Sequence, residues 1–327
     1  MISRRRIVFA LGASALAAPF AAFAQQQGNV WRVGCLAQGT LDTGNFRKYF
    51  TQGMRELGYV VGKNLIIDWS AAEGDSGRLP ALAAGLVRLK PDVIVVQGTP
   101  AARAAQMATT TIPIVMATMG DPIGSGLVKS LARPGGNSTG MSIMVAELGP
   151  KHLELLRRAV PKATRIAVLV YPGNPVSVAA LKNIQAVAQK LGASIQAFEA
   201  RTPGEIAGAF AAIAGKKAEA LVVPQESLFS QHRAQIVELA ARHRLPTIGG
   251  SIENAEGGFL MSYGQDSKEN FRYAATYVDK IFKGANPGDL PIEQPTVFDF
   301  AVNLKTAKAL GIKIPQSILL QATKVIE

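Results

Sequence analysis

The sequence predicts an α/β fold built from two parallel-sheet units. Short β-branched runs alternate with amphipathic helical stretches. The alternation stops in a turn-rich stretch after Arg133 and starts again at Arg165. A chain of 327 residues with 48% hydrophobic content can also bury two ordinary cores, which excludes global disorder.

In chain order, the first unit opens with the run Val33 to Leu36, followed by Phe46, Phe50, Met54 and Leu57 at helical spacing. A strand from Leu65 to Trp69, a helix from Leu79 to Leu89, a strand from Val93 to Val96, a helix from Ala101 to Ala108 and a strand from Ile112 to Met116 complete a βαβαβαβ pattern. The second unit begins with Ile166 to Val170, after which Leu181, Ile184, Ala188 and Leu191 share one helix face. It continues with a strand at Ser194 to Phe198, a helix at Ile206 to Ile213, a strand at Ala220 to Val223, a helix at Ile236 to Ala240 and a strand at Pro246 to Ile248.

A further short strand, Gly258 to Tyr263, precedes a helix with Phe271, Ala275, Val278 and Phe282 facing inward. Two segments lack apolar periodicity. Arg133 to Gly140 (RPGGNSTG) suits a crossover or hinge, and Gly284 to Pro295 is a linker with three prolines. Several crossings between two units leave a cleft that opens and closes about a hinge. The expected division is 30–143 with 259–290 in lobe 1, and 144–258 with 291–327 in lobe 2.

The N-terminus reads as an address. Met1 to Arg6 is short and triply basic, Ile7 to Phe23 is apolar apart from Gly12, Ser14 and Pro19, and Ala22-Phe23-Ala24 is a small-x-small cleavage site before Gln25. Residues 1–24 are therefore expected to be a cleaved signal peptide, exporting the chain to the periplasm by the Sec or the twin-arginine route. No later stretch is long and apolar enough for a spanning helix, so no membrane insertion is expected. Arg4, Arg5 and Arg6 carry three of the twelve net positive charges, which leaves +9. That charge is spread along helices without an aromatic-interleaved cluster, and no nucleic-acid partner is expected.

Catalytic signals are weak. The chain has no G-x-S-x-G elbow, no phosphate loop ending in GK[ST], no HExxH and no G-x-G-x-x-G after a strand, which argues against hydrolase and nucleotide chemistry. His152, His232 and His243 fall in helical stretches beside charged residues and read as solvated faces. Glu253 and Glu256 read as an exposed turn, and Cys35 as a small hydrophobe in a strand. No cofactor, metal or catalytic residue is expected.

In open parallel sheets, ligands bind outside the carboxyl ends of the strands, where loops meet helix N-termini. In the first unit those loops hold Gln38 and Thr40, then Gly98 and Thr99, then Met119 and Asp121. In the second they hold Tyr171 and Asn174, then Gln225 and Glu226, then Gly250 and Ser251, with Tyr263 ending a strand at an expected crossing. Each has a bland alternative. Thr99 before Pro100, Asp121 before Pro122 and Asn174 before Pro175 read as helix N-caps, and Tyr263 as packing at the lobe junction.

Residues 120–140 (GDPIGSGLVKSLARPGGNSTG), 46–63 (FRKYFTQGMRELGYVVGK), 98–102 (GTPAA) and 302–311 (VNLKTAKALG) resemble the ABC-importer substrate-binding proteins of the tryptophan/tyrosine type. The resemblance runs over almost the whole chain after the leader. It implies a type I periplasmic-binding-protein fold: two Rossmann-like lobes with parallel sheets, joined by a multi-segment hinge. A ligand would close between the lobes and be delivered to a separate ABC permease and its ATPase. Amino-acid-binding members have a Ser-His-Pro-type loop after the first strand, a Glu and an Asn-Ser pair after the second-lobe Tyr, and an Asp in the next strand-end loop. Here the corresponding residues are Ala37-Gln38-Gly39-Thr40, Asn174-Pro175-Val176-Ser177 and Gln225-Glu226-Ser227. Ser177 is kept and Glu226 can stand in for the carboxylate, but the rest of the set is broken, which argues against tryptophan or tyrosine.

The function expected is capture of a small organic solute, an aromatic or branched carboxylate or an amino-acid-like molecule, by a monomeric binding protein with no chemistry of its own. The alternative is an exported α/β enzyme acting on a small anionic or aromatic compound. A ligand-binding regulator is disfavoured, because an export signal occupies the place of a DNA-binding helix pair.

Overall fold

The computed structural model describes residues 30–41 and 45–327, so the expected leader at 1–24 lies outside the described residues. The first lobe contains β1 (Trp31–Ala37), α1 (Asn45–Glu56), β2 (Leu65–Ala71), α2 (Leu79–Arg88), β3 (Val93–Gln97), α3 (Thr99–Ala108), β4 (Ile114–Gly120) and β5 (Ser138–Ile143). These strands form a five-stranded sheet in the order β2-β1-β3-β4-β5, parallel throughout. Strand β1 shows why the sheet has two covered faces. Val33, Cys35 and Ala37 point to a core with Phe46, Phe50 and Met54 of α1, while Leu36 points to the opposite core with Leu79, Leu86 and Ala105.

The chain then enters the second lobe through α4 (Val145–Ala159), β6 (Arg165–Val170), α5 (Pro175–Ala188), β7 (Ser194–Glu199), α6 (Pro203–Gly215) and β8 (Ala220–Val223). It continues through α7 (Ser227–Gln231), α8 (Arg233–Arg242), β9 (Thr247–Gly249), α9 (Ile252–Glu256) and β10 (Met261–Gly264). Helix α10 (Ser267–Phe282) returns to the first lobe. Then β11 (Asp299–Asn303), α11 (Leu304–Leu310), α12 (Gln316–Leu319) and β12 (Lys324–Ile326) complete the second. The second sheet has the order β12-β11-β10-β9-β8-β6-β7, and only the β10–β11 pair is antiparallel. Its faces divide as in the first lobe: Ile166, Val168 and Val170 lie in one core, and Ala167, Leu169 and Tyr171 in the other.

Helix α10 docks on the first lobe through Phe271, Ala274, Ala275 and Val278, which share a core with α1. Gly53 of α1 makes that approach possible, because a Cβ there would collide with the backbone oxygen of Arg272. Three crossings therefore join the lobes: between β5 and α4, between β10 and α10, and ahead of β11.

The crossings differ in detail from the sequence expectation. Residues 259–264, expected in the first lobe, belong to the second, where β10 pairs with β9 and β11. A short apolar run reads the same whichever sheet it joins. Conversely, residues 291–293 stay with the first lobe, where Ile292 N–H donates to Leu131 O and Ser142 N–H to Glu293 O. The turn-rich 133–140 segment is not itself a crossing; it leads into β5, whose six residues are all buried.

His152 departs from the solvated-face reading. It is 2% exposed, and its Nε2–H donates to the Tyr263 carbonyl at 2.6 Å. Burial pushes its pKa down to about 4, against the opposing pull of that bond.

Candidate functional site

The C-terminal ends of β1, β3 and β4 face those of β6, β8 and β9 across the cleft. A cavity of about 140 Å³ lies between them, lined from both lobes. Its floor on the first lobe begins at Gln38, just after β1 and 1% exposed. Gln38 Oε1 lies 2.6 Å from where a Cβ on Gly98 would stand, so glycine at that left-handed position (φ +92°) gives the side chain its place.

From Gln38 a polar chain crosses the cleft. Gln38 Nε2–H donates to Glu226 Oε1 at 3.0 Å, and Asn174 Nδ2–H donates to Glu226 Oε2 at 2.7 Å. The Ser227 N–H adds a bond to Oε1 at 2.9 Å. Glu226 is 4% exposed; burial raises its carboxyl pKa, while the bonds from Asn174, Ser227, Gln38 and the Leu228 backbone oppose that rise.

Other bonds also span the lobes. The Tyr171 hydroxyl and Ser76 Oγ lie 3.0 Å apart, Asn45 Nδ2 is 3.3 Å from Glu253 Oε1, Gln225 Nε2 is 3.1 Å from Ser267 Oγ, and Lys268 Nζ pairs with Glu253 Oε1 at 3.6 Å. A Cβ on Gly120 would stand 2.5 Å from Val176 Cγ1, so the lobes are in close contact beside the cavity as well.

Of the residues singled out in the sequence, Gln38, Thr40, Gly98, Thr99, Asn174, Gln225, Glu226 and Ser251 line this cavity. Six others do not. Met119 is buried in the α2/α3 core. Asp121 accepts from Gly124 N–H at 2.7 Å in a turn. Tyr171 makes the bridge to Ser76, and Ser177 Oγ accepts from Tyr171 N–H at 3.0 Å. Gly250 packs against Gln225 and Gly264. Tyr263 stacks on Phe298, with ring centroids 5.8 Å apart.

The capping expectations divide too. Asn174 caps α5 through Val176 N–H at 3.1 Å. Thr99 is not a cap: Gly98 holds that position, and the Thr99 hydroxyl donates to Gly120 O at 3.3 Å. Asp121 precedes a turn rather than a helix.

Sequence reasoning missed the lining contributed by Gln231, Arg233, Glu253 and Phe271, together with the apolar Ile143, Val145 and Val176. Gln231 and Arg233 follow a strand-end loop by only a few residues, which is the one signal that could have found them. Glu253, read as part of an exposed turn, instead faces the cavity from α9 and pairs with Lys268. Among the described residues, no three His, Cys, Asp or Glu side chains converge as a metal site, and no helix is long and apolar enough to cross a membrane.

The profile of the family described as ABC transporter substrate binding protein matches residues 43–326. A tyrosine-binding protein of Clostridioides difficile (strain R20291) is 29% identical over 267 residues, 82% of this chain and 76% of its own. The ABC domain from Streptococcus pneumonia in complex with L-Trp superposes with a TM-score of 0.83 at 29% identity, covering 90% of this chain and 100% of its own. The ligand-free, open structure of a substrate-binding protein with adhesive properties from Clostridium difficile covers 91% and 99% at 27% identity, with a TM-score of 0.64. At similar identity, the chain is closer in shape to the L-Trp complex than to the open form, in keeping with its cross-lobe bonds.

Proposed function

Because the chain belongs to the ABC transporter substrate-binding protein family, and is thus a solute-binding protein of an ABC transporter, we propose that it captures an aromatic or branched organic acid by closing its two lobes around it. The observation that carries this reading is the polar chain Asn174–Glu226–Gln38, buried, contributed by both lobes, and completed only when they meet. A solute touching both lobes stabilises the closed form by its differential affinity for it. Ile143, Val145, Val176 and Phe271 offer an apolar wall to the solute's side chain. Tyrosine and L-Trp, named for the relatives, support a solute of amino-acid size.

The protein works in the periplasm after removal of residues 1–24, as a monomer without a cofactor, and presents its closed surface to a permease driven by an ATPase. It does no chemistry on the solute: no histidine lines the cavity, and Glu226 and Glu253 are both held by neighbouring side chains. Incubation of the protein with a solute that raises its melting temperature, followed by mass spectrometry of the recovered solute, tests this. Saturable stabilisation with the solute unchanged is expected; steady consumption of the solute would establish the enzyme alternative.

A further inference from the structure

We propose that the cavity selects organic monocarboxylates that lack the α-ammonium group of an amino acid. This rests on the solute-capture reading above and narrows it. Among the described residues, three charged ones line the cavity: Glu226, Glu253 and Arg233.

Glu226 has little to offer an incoming ammonium. Gln38 and Ser227 N–H donate to its Oε1 and Asn174 to its Oε2. A carboxylate has about four lone-pair sites, so three of them are already taken. Glu253 already pairs with Lys268 at 3.6 Å and accepts from Asn45 at 3.3 Å.

Arg233 is different. Its Nε–H donates to Asn254 Oδ1 at 3.2 Å, and its two terminal nitrogens make no hydrogen bond or ion pair among the described residues. The carboxylate of Glu256 lies within its electrostatic reach but is bonded to Lys324 at 2.7 Å. Among the described residues the cavity therefore holds one guanidinium with its fork uncommitted and no uncommitted carboxylate to match a second cation.

A solute carboxylate suits that fork, since two parallel charge-assisted bonds form between planar groups. Gln231 Nε2, a buried donor without a partner, stands in the same cavity to share the anion. An ammonium finds the reverse. It would be desolvated beside a guanidinium, and among the described lining residues the one buried side-chain acceptor left unpartnered is the neutral Gln38 Oε1. That oxygen suits a neutral hydroxyl donor on the solute instead.

Matched pairs of probes test the inference: 3-phenylpropionate against L-phenylalanine, and 4-methylpentanoate against L-leucine, each pair differing by the α-ammonium alone. Calorimetric titration of the full chain is expected to show at least one deaminated acid binding tenfold or more tightly than its amino-acid partner. Arg233→Gln is expected to weaken that acid by tenfold or more, with the melting curve of the free variant reporting whether it folds. If Arg233→Gln fails to fold, Gln231→Leu serves in its place, with a loss of threefold or more expected. An amino acid that binds as tightly as its deaminated partner overturns the inference. So does the absence of binding by all four probes; solute capture itself would then still be judged by compaction of the protein in a mixed solute extract, and compaction there would leave that reading standing while the monocarboxylate assignment falls.

Discussion

Replacing Tyr171 by Phe removes one hydroxyl and leaves the ring in place. The Tyr171 side chain is 6% exposed and does not line the cavity; its hydroxyl lies 3.0 Å from Ser76 Oγ in the opposite lobe. Opening the cleft returns both groups to water, so the bond contributes only its net value, about 0.5–1.5 kcal/mol. Where the closed form is the minor species of the free protein, apparent affinity falls by the same factor as the closed population, about two- to twelvefold.

The factor should be identical for every solute, because the lost bond belongs to closure and not to any ligand. Isothermal titration of Tyr171→Phe with two chemically unlike ligands measures it, and a Ser76→Ala, Tyr171→Phe double-mutant cycle isolates the pair. Equal weakening for both ligands, with the double variant no worse than either single one, is the expected result. Weakening that differs between ligands would make Tyr171 a ligand contact, and unchanged affinity throughout would refute the latch.

His152 gives the fold a pH signature. Its pKa falls from 6.5 to about 4 on burial, so the unfolded state binds the extra proton and stability is fully present above pH 6.5, then lost as pH falls toward 4, by about 3 kcal/mol at most. Denaturant titrations across that window should show the slope, and His152→Gln should flatten it; an unchanged slope would point to another group. Asn174→Ala removes both the cap on Val176 N–H and a donor to buried Glu226. It should cost about 2–4 kcal/mol of stability and weaken ligand binding, whereas a loss near 1 kcal/mol with intact binding would leave only the cap. Ser251 opens α9 without a side-chain capping bond, so Ser251→Ala should change stability by less than about 0.5 kcal/mol, and a larger fall in melting temperature would contradict its placement in the cavity wall.

Much of the architecture was legible because both lobes obey the same rule. Strands β1, β3, β4, β6 and β8 lie inside their sheets, so they read as β-branched runs between helices with one apolar face. The failures have physical causes. Strand β5 carries Ser138, Thr139, Gly140 and Ser142, whose polar groups are buried at the sheet edge, and it therefore reads as a turn. Helix α4 follows directly and holds Pro150, which hides its periodicity. Strand β10 was legible as a strand, but nothing local tells a strand which of two sheets it will join.

The site was legible to the extent that strand ends define it. Gln38, Asn174, Gln225, Glu226 and Ser251 sit on the loops that the rule singles out, and they line the cavity. Gln231, Arg233 and Glu253 lie a few residues farther along, on helices, and reach the cavity only through the meeting of the lobes. Tyr171, on the loop after β6, and Ser177, in the first turn of α5, turn toward lobe contacts and backbone, a choice of side-chain direction that spacing does not encode.

Small-angle X-ray scattering of the protein with and without a saturating solute tests most directly whether the two lobes close on their ligand. A smaller radius of gyration is expected in the bound state, because the bonds from Gln38, Asn45, Tyr171 and Gln225 to their cross-lobe partners form together as the cleft shuts. An unchanged radius with a solute of proven affinity would contradict it.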